Sequence, residues 1–252
     1  MKIIFTIAKY TAVEAIRDNF IFVVLALMVA SVPLGIFIKS VTLFGAESSY
    51  SATVLMVLSI AVIAISVLYV NIATRRELDG KIMLVILSRP VQNWQYLLGK
   101  LFGFWFITTL YCAVSGMLLA VLRIGSLKSI LIYVIGLWLL QILIIFWSLF
   151  FALLLNSMVG GILASLLAWF FCTSVETLWY LSTRTTDNIL SQIVGNLFYY
   201  LMPNYGRYDF GHAVLYDAPI PISSIVTLPI YTVIYGAIVM LLAWMDFSKK
   251  EY

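Results

Sequence analysis

The chain has 252 residues, 63% of them hydrophobic and only 10% charged, with a mean hydropathy of +1.08. A water-soluble domain has no way to bury that much apolar surface, so the composition excludes a soluble enzyme and points to an integral membrane protein. The net charge of +4 comes from Lys and Arg dispersed at the ends of apolar runs, which excludes a nucleic-acid-binding stripe.

Residues 2–18 predict a helix, with Ile3, Ile4, Ile7, Ala8 and Ala15 on one side and Lys2, Thr6, Lys9 and Arg17 on the other. Such a helix suits the cytoplasmic membrane interface. The next apolar run begins near Phe20 and outlasts the apolar region of a cleavable signal, so it reads as a retained first span at about 20–38. Pro33 and Gly35 are expected to kink it. A short polar connection, Lys39 to Ser51, leads to a second span at about 53–73.

Residues 74–100 are the long charged interruption in the first half of the chain. Their apolar centre, Ile82 to Leu87, is far shorter than the roughly 20 residues a membrane-crossing helix needs, so it is expected to bury its surface against other protein. Arg89-Pro90 ends this short helix, because proline disfavours helical geometry in the residue before it and supplies no N–H. Trp94 and Tyr96 then fall at the level where aromatic rings prefer the membrane interface.

The third span is placed at about 101–122, with Gly99 and Gly103 permitting close helix packing at its start. The fourth, about 129–155, and the fifth, about 158–181, are joined by a tight turn at Asn156-Ser157. Gly160, Ala164 and Ala168 make a small-residue face on the fifth span, where another helix is expected to approach. The loop 182–223 contains an amphipathic helix: Ile189, Leu190, Ile193, Val194, Leu197, Phe198 and Leu201 repeat at helical spacing opposite Asn188, Ser191, Gln192, Gly195 and Asn196. Pro203-Asn204 stops it, and Tyr205, Tyr208, Phe210 and Tyr216 make the remainder aromatic. A sixth span follows at about 225–245. The expected fold class is therefore an all-α integral membrane protein in which residues 1–252 form a single transmembrane domain of six helices.

Ten Lys and Arg lie on the side of the termini and the 74–100 loop: Lys2, Lys9, Arg17, Arg75, Arg76, Lys81, Arg89, Lys100, Lys249 and Lys250. The opposite loops hold five, Lys39, Arg123, Lys128, Arg184 and Arg207, so both termini and the 74–100 loop are expected in the cytoplasm.

No enzyme site assembles from these residues. Cys112 and Cys172 sit inside apolar runs, and a single histidine, His212, supplies neither a multi-histidine metal site nor a relay. Gly99-Lys100 is followed by Leu101, with Trp94 where a phosphate-binding loop needs its first glycine, so the chain itself is not expected to bind ATP. Glu176 is the one carboxylate within a predicted span. It reads either as a structural group, snorkelling or paired with Arg184, or as a substrate or gating residue.

The order Arg76-Glu77, an apolar run, Leu87-Ser88-Arg89-Pro90-Val91, Trp94 and Leu97-Leu98-Gly99-Lys100 resembles the coupling loop of ABC-2 type permeases. The resemblance is closest to the subgroup that includes the permease of nitrous oxide reductase maturation systems. Leu201-Met202-Pro203-Asn204 ahead of the last span is a further match. The resemblance implies an ABC-2 type exporter fold in a prokaryotic inner membrane. Two permease copies would pair, each docked on a separate cytoplasmic ATPase subunit that binds the ATP and Mg, with the path between them built largely from spans one, two and five. It implies that Glu77 to Ser88 is a coupling helix, with Glu77 as polar anchor, Leu78, Ile82, Val85 and Ile86 as its buried face, and Arg76, Lys81, Ser88 and Arg89 among the docking residues. Lys81 departs from the small or hydroxyl residue of the family pattern. Two functions follow from it: export of cargo, or transmission of mechanical work to an extracytoplasmic partner docked on the aromatic loop Tyr199 to Tyr216. A basic linker whose helix caps its own bundle is the alternative that the residues alone leave open.

Overall fold

The structure, a computed structural model, describes residues 2–18, 20–42, 44–80, 92–184 and 189–249, and among them every regular element is helical. In chain order these are α1 (Lys2–Arg17), α2 (Phe20–Val41), α3 (Ala46–Ala64), a π-helical turn (Ile65–Tyr69), α4 (Val70–Asp79), α5 (Asn93–Val121) and α6 (Leu127–Leu154). They continue with α7 (Met158–Arg184), α8 (Ile189–Leu201), a 3-10 turn (Tyr205–Tyr208), α9 (Gly211–Tyr216) and α10 (Ile222–Lys249). Six helices are long and apolar enough to cross a membrane, which is the architecture of a multi-pass membrane protein. Below, the near end of the bundle is the one carrying Asp79 and Asn93, and the far end carries α8 and α9.

The second span is longer than its hydropathy implied. Ala46 to Asp79 runs as one helix of 34 residues through the π-helical turn. At 1.5 Å per residue that is about 50 Å, against about 30 Å of bilayer hydrocarbon, so its charged ends, Glu47 and Arg75 to Asp79, reach beyond the apolar layer. Hydropathy marks only the part in hydrocarbon; the backbone ladder carries on past it. For the same reason α5 begins at Asn93 instead of 101, its first turn closed by the Gln92 N–H donating to Gln95 Oε1 at 3.3 Å. Much of the expected 74–100 loop is thus span helix. The helix continues through Pro33 in α2, and Gly35 is where Tyr50 of α3 comes close.

The second and fourth spans form the centre, with 61% of the most apolar stretch of each buried, against 22% for the first, fifth and sixth. The fourth, α6, packs against α4, α5, α7 and α10. Three polar contacts join the second span to its neighbours at descending levels: Ser59 with Tyr133 Oη at 2.7 Å, Ser66 with Gln141, and Asn71 Nδ2 donating to Ser165 Oγ at 3.1 Å. Inside a bilayer such groups have no water to turn to, so each pair fixes a register between helices.

The N-terminal helix is more than an interfacial strip. α1 packs along α5, burying Thr11, Ala12 and Ala15 and half-burying Ile4, Ile7 and Ala8, which is the expected face without Ile3, left exposed. The Gly99 and Gly103 pair makes this possible: a Cβ on Gly103 would stand 2.6 Å from Thr11 Cβ and 3.0 Å from the Ala8 carbonyl oxygen. Packing was the expected role of these glycines. The small-residue face of the fifth span is shifted by one position, however. Gly161 and Ser165 are buried against the second span, where a Cβ on Gly161 would meet Asn71 Oδ1 at 2.5 Å, whereas Gly160 has only ordinary contacts and Ala168 is half-buried. The reason is Asn71, whose side chain needs both a partner and room, and finds them at Ser165 and Gly161.

Substitution of Gly103 by Leu is expected to force α1 off α5 and to lower the melting temperature of the detergent-solubilised protein by roughly 5 °C or more. Gly160→Leu, made in parallel, is expected to change it by less than about 2 °C.

Candidate functional site

The near-end junction is built where α4 ends, α5 begins and α10 ends. Glu77 in the last turn of α4 is 6% exposed and Lys100 in α5 is 2% exposed, and Lys100 Nζ donates to Glu77 Oε1. Tyr96, one turn earlier on α5 and fully buried, donates its hydroxyl to Glu77 Oε2 at 2.7 Å. Both carboxylate oxygens are thereby engaged within the chain. The Tyr96 ring stacks on Phe247 of α10, with centroids 6.0 Å apart and planes 14° from parallel, and Lys100 Nζ stands 5.6 Å from the Phe104 ring. These contacts bind three spans into one base.

This arrangement differs from the expected roles of several residues. Glu77 was expected to reach a partner as a polar anchor; it instead faces inward and holds its own bundle. Tyr96 was expected at the membrane interface and is core, while Trp94 is exposed. Leu78, expected in the docking face, is half-buried and packs against the hydrophobic core. Arg76 is exposed and its Nη1 pairs with Asp18 Oδ2 at 3.0 Å, tying the end of α4 to the end of α1. The remaining docking candidates, Lys81, Ile82, Val85, Ile86, Ser88 and Arg89, lie outside the described residues. What the structure does establish is their mounting: the chain leaves a clamped helix at Gly80 and returns to a clamped helix at Gln92.

The sequence missed Lys100 and Tyr96 as partners of Glu77. The available signal was an opposite charge on each flank of one loop, Glu77 before it and Lys100 after it, with Tyr96 one helical turn from the lysine.

At the far end α8 folds back along α7, as an amphipathic helix should, but with its polar side inward. Gly195 meets Ser182, and the Trp179 indole donates to Asn196 Oδ1 at 2.9 Å. Its apolar side, Ile189, Leu190, Ile193, Val194, Leu197 and Leu201, is exposed. The segment after Pro203 plugs the far end between α3, α6 and α7. Gly136 of α6 admits it, since a Cβ there would meet Phe210 at 2.5 Å and the Tyr208 carbonyl oxygen at 2.6 Å. Tyr208 shares a 2.7 Å hydrogen bond with Thr232 of α10, and the Asn204 N–H donates to Tyr231 Oη at 2.8 Å. Burial raises the pKa of the Tyr205 hydroxyl and pushes that of Tyr208 up to about 12, so both remain neutral across the working range of pH.

Glu176 lies on the exposed side of α7 beside this plug, with Asn204 Nδ2 at 3.5 Å. Arg207 is nearby, donating to Tyr199 Oη at 3.0 Å and lying over the Tyr199 and Tyr231 rings at 5.9 and 5.4 Å. The expected pairing of Glu176 with Arg184 falls on a side chain outside the described set. His212 is exposed on α9, as expected for a loop histidine. Among the described residues no three His, Cys, Asp or Glu groups stand close enough to hold a metal ion. The chain matches no protein-family model and no curated protein.

Removing one partner from the buried pair leaves the other charge stranded, so Glu77→Gln and Lys100→Met are each expected to cost about 3–5 kcal/mol. The double substitution Glu77→Leu with Lys100→Met is expected to recover most of that loss, and Tyr96→Phe to cost about 1 kcal/mol. Denaturant unfolding of the four variants in one detergent checks the order.

Proposed function

We propose that this chain is the membrane-spanning permease subunit of an ATP-binding cassette transporter of the ABC-2 type. In this reading two copies pair, each docked on a separate ATPase subunit that binds ATP and Mg, with both termini in the cytoplasm of a prokaryotic cell. The docking element is the part of the expected Glu77 to Ser88 helix that follows Gly80, and the cargo is exported.

The observation that carries the reading is the near-end clamp. A short apolar segment joins two helices whose ends are locked together by Glu77, Tyr96 and Lys100. A push on that segment is delivered to spans two, three and six as one body, because Phe247 of the sixth is stacked on the same tyrosine. The second span then runs unbroken to the far end, so force applied at the base reaches α9, which packs against α3. This is the mechanical path that ATP-driven switching between two bundle arrangements requires.

A second reading keeps the ATPase and drops the cargo: the bundle transmits work to an extracytoplasmic partner bound at the aromatic loop. The density of contacts between the plug and spans two, four, five and six favours it, since a plug so tied moves with the helices. Glu176, exposed beside the plug, is the candidate gating or recognition residue in either reading.

Because Glu77 and Leu78 are engaged in the fold, the docking test leaves them intact. The tagged chain is purified in mild detergent beside a variant with Ile82, Val85 and Ile86 changed to serine. The parent is expected to bring down an ATPase subunit, and the variant to lose it at an unchanged melting temperature. No ATPase with either form sinks the permease reading.

A further inference from the structure

Between α3 and α7, with α6 as its floor, lies a groove of about 390 Å³. Its walls are Met56, Ile60 and Ile63 of α3, Leu137 and Leu140 of α6, and Trp169 of α7. Met56 and Ile60 form the rim and are 64% and 42% exposed, so the groove opens sideways from the bundle. It closes toward the near end, where α7 meets the π-helical turn and Asn71 bonds Ser165. Its roof is the plug, with Asp209 and His212 at the opening.

Three observations define the occupant. The lining of α3 runs from Ala52 to Ile63, about 16 Å of helix, which is close to half of the roughly 30 Å hydrocarbon layer. The hydroxyls along the walls are already bonded within the chain: Ser59 to the Leu55 carbonyl and to Tyr133, Tyr133 to the Leu55 carbonyl at 3.2 Å, and Thr173 to the Trp169 carbonyl at 2.8 Å. The groove therefore offers hydrocarbon a dry wall and offers a polar cargo no partners. At the roof the charge changes to an exposed carboxylate, Asp209, one oxygen of which accepts the Gly211 N–H at 2.9 Å. Arg207 lines a neighbouring cleft that shares Asp209 and His212 with the groove. An anion and a cation set this way match a headgroup that carries both an ammonium and a phosphate.

We propose that this groove holds one acyl chain of a membrane phospholipid with a primary-amine headgroup, the chain lying along α3, the ammonium meeting Asp209 and the phosphate turned toward Arg207. The site rests on the six spans crossing a bilayer and is independent of the permease reading. A resident lipid here fills the space between spans two and five beneath the plug, where any closure of those spans on each other has to displace it.

The test uses the purified full chain in nanodiscs of phosphatidylethanolamine, phosphatidylcholine and phosphatidylglycerol in equal amounts, followed by native mass spectrometry. The parent is expected to retain one lipid per chain, with phosphatidylethanolamine enriched about fivefold, the size of one exposed charge-assisted contact. Ile63→Trp fills the groove and is expected to release that lipid; Asp209→Asn is expected to keep a lipid and lose the preference. Equal lipid retention by parent and Ile63→Trp overturns the proposal, as does a change of oligomeric mass in Ile63→Trp with lipid unchanged. Should Ile63→Trp fail to fold, a phospholipid with a photoreactive acyl chain is used on the parent protein. Labelling concentrated at residues 56–63 and 137–140 supports the site, and labelling spread evenly around the bundle overturns it.

Discussion

The interaction on which the near half of this molecule depends is the buried Glu77–Lys100 pair with Tyr96 as its third member. Burying two charges carries a large desolvation cost that their attraction only offsets, so such a pair is a poor source of net stability compared with well-packed apolar side chains. What it supplies is uniqueness of arrangement. A carboxylate at the end of the second span accepts only a register in which a lysine and a tyrosine of the third span reach it together, one helical turn apart. Phe247 extends that register to the sixth span through the tyrosine ring. The segment between Gly80 and Gln92 is consequently mounted on a base that cannot slide.

The rest of the bundle solves a different problem, the absence of water as a hydrogen-bonding partner in hydrocarbon. Backbone groups are satisfied within the long helices, and the polar side chains of the second span are satisfied across to the fourth and fifth, at Tyr133, Gln141 and Ser165. The π-helical turn falls in this same region, and Ser66 within it bonds Gln141. An extra residue in one turn rotates the helix below it relative to the helix above, so the face that carries Ser59 and the face that carries Asn71 each find the right neighbour. At the far end the same need is met by the plug, whose buried Tyr208 and Asn204 bond the sixth span, with Phe210 and the Tyr208 carbonyl in the space that Gly136 leaves.

The number, order and apolar centres of the spans were legible because a stretch of hydrophobic residues long enough to cross hydrocarbon has few other uses. Their ends were not, because helix continues wherever the ladder is satisfied, and charged residues such as Arg76 and Glu77 are as comfortable on a helix end as in a loop. The amphipathic α8 and the packing role of Gly99 and Gly103 followed from spacing alone. The Gly160, Ala164 and Ala168 face was displaced by one residue because the decisive partner, Asn71, lies ninety residues away and leaves no local pattern. The inward turn of Glu77 was hidden for a similar reason: resemblance to a docking motif supplies a role for a carboxylate, whereas its burial depends on Lys100 and Tyr96 across the loop. The groove beneath the plug needed three helices and a turn in place before it existed.

The account turns on the 80–91 segment touching an ATPase, and a contact is best tested by capturing it. A photoreactive phenylalanine analogue is placed at position 86 of the full-length chain in growing cells, the cells are irradiated, and the adduct is identified by mass spectrometry. The account predicts one dominant adduct, a protein containing a nucleotide-binding P-loop, which disappears when the same analogue is moved to exposed Phe106 within the third span. Adducts to lipid alone, or to this chain's own helices, would contradict it and leave the segment as a cap on its own bundle.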